Sequence, residues 1–176
     1  MTAPTIVKPL DALRDFITDY IVPCPEKIYR SWLNRVTVDN VSSYAVLTLL
    51  NTARQGTNIH LPIIEDDQMT DSVKMLTLYD IQVDFCADDE QTACSQANTL
   101  CMLMRDGIAV NYFADYGISV QYAENPRSMP KIDQKQWEIR YTLTVRLAAW
   151  TESDFVIDSF NAVTVGIENV DVHHKP

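Results

Sequence analysis

In this 176-residue chain, carboxylates are the residues whose type and spacing best suit metal binding or acid–base catalysis. Asp66, Asp67 and Asp71 lie close together in the sequence, and hard cations such as Mg²⁺ and Ca²⁺ bind carboxylate oxygens. The spacing of an EF-hand loop is missing, as is the glycine at its sixth position. We therefore interpret these residues as a solvated acidic segment and predict neither a metal site nor another cofactor.

A second pair of carboxylates, Asp80 and Asp84, lies in a segment of alternating polarity. In a strand the two would share one face, with their Cα atoms about 13 Å apart at about 3.3 Å per residue. That distance is longer than the carboxyl separations of glycosidases. We expect polar residues on the wet face of a strand, or cross-strand partners for Arg140 or Arg146.

The histidines and cysteines form no recognisable active site. His60 stands alone, and the adjacent His173 and His174 would point apart in an extended C-terminal tail. The four cysteines have no CxxC spacing, and the sequence contains no GxSxG motif or glycine-rich phosphate loop. The cysteines are interpreted as small buried hydrophobes and the chain as a protein that is not an enzyme. An enzyme whose residues converge only in space is the alternative.

Length and composition predict a single domain over residues 1–176. The chain has 14 basic and 24 acidic residues, a formal charge of −10, and is 47% hydrophobic. This balance disfavours a surface that grips phosphates, although not a ring through which DNA passes. No run reaches the roughly 18 apolar residues of a membrane helix, and the first residues lack the pattern of a secretory signal. We expect a protein made in the cytosol, without a membrane partner.

Hydrophobic periodicity predicts the elements that position these residues. Apolar residues three and four apart indicate a helix over residues 9–21, and an apolar run over 43–50 indicates a strand buried on both faces. Acidic residues open a helix over 88–105, and a short helix over 109–116 ends at Gly117.

The segment 73–86 alternates between apolar and polar residues along its whole length. At about 3.3 Å per residue it would span about 46 Å, which is much longer than a usual strand. Part of it is therefore expected to project as an arm. The adjoining residues 55–72, which include Gly56 and Pro62, are interpreted as a long irregular loop or the tip of an extended hairpin.

Further strands are predicted over residues 118–122 and 137–149, with a last strand within 155–172 and a flexible tail over 173–176. The order of elements indicates an α+β fold, with a mainly antiparallel sheet, helices packed on one face and an extended hairpin arm. Such a domain suits a subunit that assembles, because a sheet edge or hairpin can add strands to a neighbour's sheet and close a ring.

Five segments in order resemble one protein family over about residues 44–172. They are LYDIQVDFCADD, ADYGI, YAENPR, QWEIRYTLTVRLAAW and AVTVGIENVDV. Together they resemble the neck terminator proteins of tailed bacteriophages. Two positions depart from the family pattern, since Cys86 stands where an aromatic residue is common and Ser128 where Gln is expected.

The resemblance implies a structural virion protein of the neck or tail, assembled in the cytoplasm of the bacterial host. Its expected form is a ring, hexameric in this family, that caps the tail tube and docks the head-completion or connector proteins. A sheath protein is a further partner if the tail is contractile, and DNA is only passing cargo. A subunit with a charge of −10 fits an acidic channel wall that repels phosphates.

Eight charged residues are candidates for the arm or for an interface between subunits. The carboxylates Asp66, Asp67 and Asp71, with Asp80 and Asp84, are the acidic candidates. The basic candidates, which would pair with carboxylates across a subunit boundary or within the chain, are Arg127, Arg140 and Arg146. Two other functions stay open: another ring subunit of the head–tail connector or tube adaptor, and a small-molecule binding domain or hydrolase that uses the acidic residues.

Overall fold

Three long antiparallel strands form the centre of the molecule. The computed structural model describes residues 7–31, 43–65, 68–133 and 136–157. The long strands are β2 (Ser43–Glu65), β3 (Gln68–Ala87) and β7 (Gln136–Ile157). β3 lies in the middle and pairs along nearly its whole length with both neighbours.

Short strands extend this sheet on either side. β1 (Ile28–Arg30) pairs in parallel with β2, and β4 (Ile118–Ala123) pairs antiparallel with β7. The strand order is therefore β1-β2-β3-β7-β4. Two further short strands, β5 (Arg127–Ser128) and β6 (Lys131–Asp133), pair with the first part of β7.

Three helices cover one face of the sheet. They are α1 (Val7–Tyr20), α2 (Glu90–Met104) and α3 (Gly107–Ala114). The carboxylate of Asp89 accepts a hydrogen bond from the amide of Thr92 at 2.7 Å and so caps α2, as the acidic start of this segment predicted. Gly117 adopts φ +68° just after α3, a conformation that favours glycine. These helices confirm the predicted α+β fold.

The hydrophobic core lies between the helices and the covered face of the sheet. Where the helices cover the long strands, every second residue is buried there, which confirms the alternation seen in the sequence of β3 and β7. The buried sheet residues include Ala45, Leu47, Tyr79, Ile81, Val83, Phe85, Leu143, Val145 and Leu147. The helices contribute Leu13, Phe16, Ile17, Ala97, Leu100 and Phe113.

Two expectations about β2 need correction. Residues 43–50 are not buried on both faces: Ala45 and Leu47 are buried, but Tyr44 and Val46 are only half-buried, because the helices cover one face alone. Residues 55–72 are no irregular loop, since β2 runs on to Glu65 and β3 begins at Gln68. The extended hairpin is thus the right alternative. The predicted strand beyond residue 157 and the tail over 173–176 lie outside the described residues.

Candidate assembly surface

The sheet face opposite the helices, here called the open face, carries four of the eight charged candidates: Asp80, Asp84, Arg140 and Arg146. On β3 it presents Asp80, Gln82 and Asp84, which alternate with the buried Ile81 and Val83. Within the described part of the chain, no helix packs against this face. Its polar side chains must therefore satisfy one another or meet solvent or a partner.

Asp80 and Arg146 form a two-point ion pair directly across β3 and β7. The Nε of Arg146 donates to one carboxylate oxygen at 2.5 Å and its Nη2 to the other at 2.8 Å. The same guanidinium lies over the ring of Tyr122, 5.1 Å from its centre. The hydrogen bonds from Arg146 lower the pKa of Asp80, so the carboxylate stays charged.

Asp84 is buried on the open face and is fully engaged. It accepts hydrogen bonds from the amide of Gln82 at 2.9 Å and from the hydroxyl of Thr142. The guanidinium of Arg140 lies 3.8 Å away and also donates to the backbone oxygen of Met129 at 3.0 Å. A buried carboxylate held by three groups is a structural element of the sheet, and it is not available as a general base.

A groove of about 320 Å³ lies on the open face and is lined by residues of β2, β3 and β7. Tyr44 donates a hydrogen bond to Glu138 at this groove, and Cys86 lies beside them. Burial, followed by the charge of Glu138, raises the pKa of Cys86 to about 12, so the thiol is not a nucleophile at neutral pH.

The three long strands continue beyond the helices as an arm, defined here as residues 52–65, 68–78 and 150–157. Polar cross-strand contacts hold it together. Glu152 accepts from Lys74 at 2.8 Å and from Ser72 at 2.7 Å, and Thr151 lies 3.1 Å from the hydroxyl of Thr77. Ile59, Leu61 and Trp150 are exposed on the arm. The arm thus combines an ordered strand ladder with apolar side chains that face outward.

Both edges of the arm are unpaired within the described residues. β1 pairs with β2 only at Ala45 to Leu47, and β4 pairs with β7 only as far as Ala149. Beyond these points β2 and β7 pair only with β3, which lies between them. Each edge leaves backbone N–H and C=O groups that can bind another strand.

The structure places five of the eight sequence-predicted residues on the body of the sheet. Asp80 and Asp84 meet Arg146 and Arg140 within one chain. Arg127 is exposed on β5, opposite Thr142 of β7.

Of the remaining acidic candidates, the structure describes the backbone of Asp71 alone. Asp71 lies on β3, where it is paired with Pro62 and Phe155, whereas Asp66 and Asp67 lie outside the described residues. For all eight candidates, a contact with another subunit stays a prediction.

Sequence reasoning missed Tyr44 and Trp150 as members of the open face, and it missed the bond between Tyr44 and Glu138. The signal for Trp150 was available, because the alternation that turns Leu147 and Ala149 inward turns the next residue outward. The Tyr44–Glu138 bond joins residues 94 positions apart, so no local pattern could have revealed it.

Neither a metal site nor a membrane-spanning helix is found in the described part of the chain. No three side chains of His, Cys, Asp or Glu there come close enough together to hold a metal ion. None of the helices described is long and apolar enough to cross a membrane.

Comparison with known proteins gives one result. A family model described as phage neck terminator protein matches residues 11–172, which include β1 to β7, all of α2 and α3, and most of α1. A comparison with curated proteins finds no match.

Proposed function

Because this chain belongs to the phage neck terminator protein family, we propose that it forms a six-membered ring that caps the tail tube and docks the head-completion proteins. The family is one of structural proteins of the virion, and its name assigns the chain to the neck. The ring, its partners and the passage of DNA through its centre are the parts that we propose.

The arm, whose two edges have no strand partner among the described residues, is the observation that carries the proposed ring. The β2 edge and the β7 edge lie on opposite sides of β3. The β2 edge of one copy can therefore pair with the β7 edge of the next, which is a head-to-tail contact between different surfaces. Contacts of this type repeat with a constant rotation and close into a ring when that rotation divides the circle evenly.

The open face suits the wall of a channel through which DNA passes. Three of its basic side chains are paired with carboxylates: Lys74 with Glu152, Arg140 with Asp84, and Arg146 with Asp80. Phosphates bind where Lys and Arg are clustered and available, and pairing with carboxylates removes that availability. A wall of this kind lets DNA slide past without holding it.

Mass measurement and imaging test the ring and its place. Six copies of this 20.0 kDa chain give a ring of about 120 kDa, which light scattering detects for the protein alone or after addition of tail tubes. Negative-stain images should then show a cap at one end of each tube. A compact monomer that leaves tube ends bare would overturn the proposal, and a ring that binds heads but never tubes would favour another connector subunit.

A matched pair of variants tests the arm as the contact between subunits. Ile59→Lys combined with Leu61→Lys puts charge on two exposed arm positions, so the monomer should fold while ring and cap formation are lost. Met102→Lys makes the same kind of change at an exposed position on α2, outside the arm, and should assemble like wild type. Normal assembly of the arm variant would show that the subunits meet elsewhere.

A further inference from the structure

The helix layer carries a second exposed surface, here called the tyrosine patch, made of Tyr20, Ile108, Tyr112 and Tyr116. Ile108, Tyr112 and Tyr116 follow one another at intervals of four along α3 and its end, so they share one face. Tyr20, at the end of α1, lies against this face. Tyr20 and Tyr116 are each 46% exposed, and Ile108 is 44% exposed.

Contacts within the patch hold its rings in place. The ring of Tyr112 stacks on Tyr116 with the centres 5.5 Å apart, and it meets Tyr20 edge-on at 6.0 Å. The buried Phe16 supports this arrangement from below, 4.8 Å from Tyr20 and 5.0 Å from Tyr112. The hydroxyl of Tyr112 donates to Asp19 at 3.2 Å. Aromatic rings fixed in this way lose little conformational freedom on binding, and such residues dominate the energy of many interfaces.

The two chain segments that carry the tyrosine patch are acidic. Residues 15–26 contain three acidic residues and no Lys or Arg, and so do residues 106–126. Arg14 and Arg105, which precede these two segments, donate to the backbone oxygens of Pro25 and Ala123. Lys27 and Arg127 follow the two segments. Asp19 and Asp115 are both exposed beside the tyrosines. A surface of this kind is complementary to one that presents Arg or Lys among apolar side chains.

The patch lies at the end of the body from which the arm projects. Gly117 connects Tyr116 directly to Ile118, and Ile118 pairs with Ala149, the last body residue of β7. The arm begins at the next residue. The tyrosine patch and the base of the arm therefore lie at the same end of the body.

We propose that the tyrosine patch docks a basic surface of the tail tube protein, with Arg or Lys side chains stacked on Tyr20 and Tyr116 and paired with Asp19 and Asp115. This inference rests on the proposed function, and it adds the surface and the chemistry by which the ring recognises the tube. Arg over tyrosine is a contact that the chain itself makes, between Arg146 and Tyr122. A second copy is a poorer occupant, because the chain has only 14 basic residues against 24 acidic ones.

Co-sedimentation with purified tail tubes, and separately with DNA-filled heads, tests this assignment. The variants are Tyr116→Ser and Asp115→Lys, with Asp88→Lys as the control for a charge reversal at an exposed position outside the patch. Both patch variants should keep the wild-type oligomeric mass and bind tubes at least about tenfold more weakly. Wild-type binding to tubes should weaken as salt rises, and the control should match wild type.

Three results would overturn the inference, and they differ in what else they affect. Patch variants that bind tubes like wild type, or that lose only head binding, reject the patch as the tube contact and leave the ring proposal standing. Patch variants that lose the oligomeric mass of the wild type show a contact between copies instead. A wild-type protein that binds neither tubes nor heads rejects the proposed function together with this inference.

Discussion

The same three strands behave differently in the body of the sheet and in the arm. In the body, Phe85 and Leu143 are buried beneath the helices. In the arm, the strands continue with Lys74 paired to Glu152, while Leu61 is 42% exposed. The register of β3 with β7 is continuous across the boundary, so the change lies in what covers the strands and not in how they pair.

The difference separates the part of the sheet that supplies stability from the part that we propose for assembly. Burying a large apolar side chain contributes about 1.5–3 kcal/mol, whereas a cross-strand pair contributes about 0.2–1 kcal/mol. The body therefore supplies most of the free energy of unfolding, and the arm stays ordered because it continues strands that the body already fixes. The arm can then present its exposed apolar side chains, and edges that no described strand covers, to a neighbour.

The largest expected effect is in the body. Phe85→Ala removes a fully buried ring and should lower the free energy of unfolding by about 3–5 kcal/mol, because the cavity left behind closes only in part. Urea denaturation followed by circular dichroism measures this change. A loss below about 1 kcal/mol would mean that the body does not depend on the core as described.

Two glycines with left-handed backbone conformations give a matched comparison of body and arm. Gly117 has φ +68° in the body and Gly56 has φ +81° in the arm, and a Cβ at either position meets no atom within 4 Å. Alanine at either glycine should therefore introduce only backbone strain of about 1–2 kcal/mol. Gly117→Ala should lower the global free energy of unfolding by that amount.

Gly56→Ala should act mainly within the arm. We expect faster amide hydrogen exchange there and a smaller loss in the global free energy of unfolding than for Gly117→Ala. Gly117→Asn is the control, because Asn tolerates the left-handed conformation better than Ala. Equal global losses from the two alanine variants would mean that arm and body unfold as one unit.

The ion pair nearest the boundary between body and arm should have a pH-dependent effect. Arg146 lowers the pKa of Asp80, so the pair contributes stability above the ordinary value of 3.8 and loses it as the pH falls through the lower pKa of the folded state. Asp80→Asn should cost about 1 kcal/mol at pH 6 and progressively less below pH 3.8. Urea titrations of both proteins over this range measure the difference.

The arm offers a counterpart to that pair. Lys74 and Ser72 lower the pKa of Glu152, as Arg146 does for Asp80. The Lys74–Glu152 pair is more exposed, so the stability lost in Glu152→Gln should follow the same pH trend with a smaller amplitude. A difference between wild type and Asp80→Asn that does not change with pH would contradict the role given to Arg146.

The smallest effect on stability is expected at the exposed apolar positions of the arm. Leu61→Ser should change the free energy of unfolding by no more than about 0.5 kcal/mol, since the side chain is already in contact with solvent. Thermal unfolding of the unassembled protein measures it. A loss comparable to that of Phe85→Ala would show that Leu61 belongs to a core.

Local patterns in the sequence were sufficient for the elements and for one face of the sheet. Alternation along residues 79–85 and 143–149 identified the buried residues, because successive side chains of a strand point to opposite faces. The acidic start of α2 and the glycine after α3 marked helix ends through local hydrogen bonds and backbone conformation.

The hairpin beyond residue 55 was harder to predict. Gly56 and Pro62 are typical of loops, yet β2 passes through both with a break in register between Gln55 and Ile59. The pairing of Glu65 with Gln68 closes the hairpin, and β7 pairs with β3 alongside it as far as Ile157. Support from a distant strand overrides the local preference of these residues.

What the sequence by itself determined is the class of fold, the alternation that builds the core and the ordered segments that carry the family resemblance. Only the tertiary structure decided that Asp80 pairs with Arg146 within one chain, that the tyrosines of two helices form one surface, and that both edges of the arm lack a partner among the described residues. The physical reason is range. Periodicity and capping act within a few residues, whereas pairing across strands and packing between helices join residues 66 to 93 positions apart in contacts that no local pattern specifies.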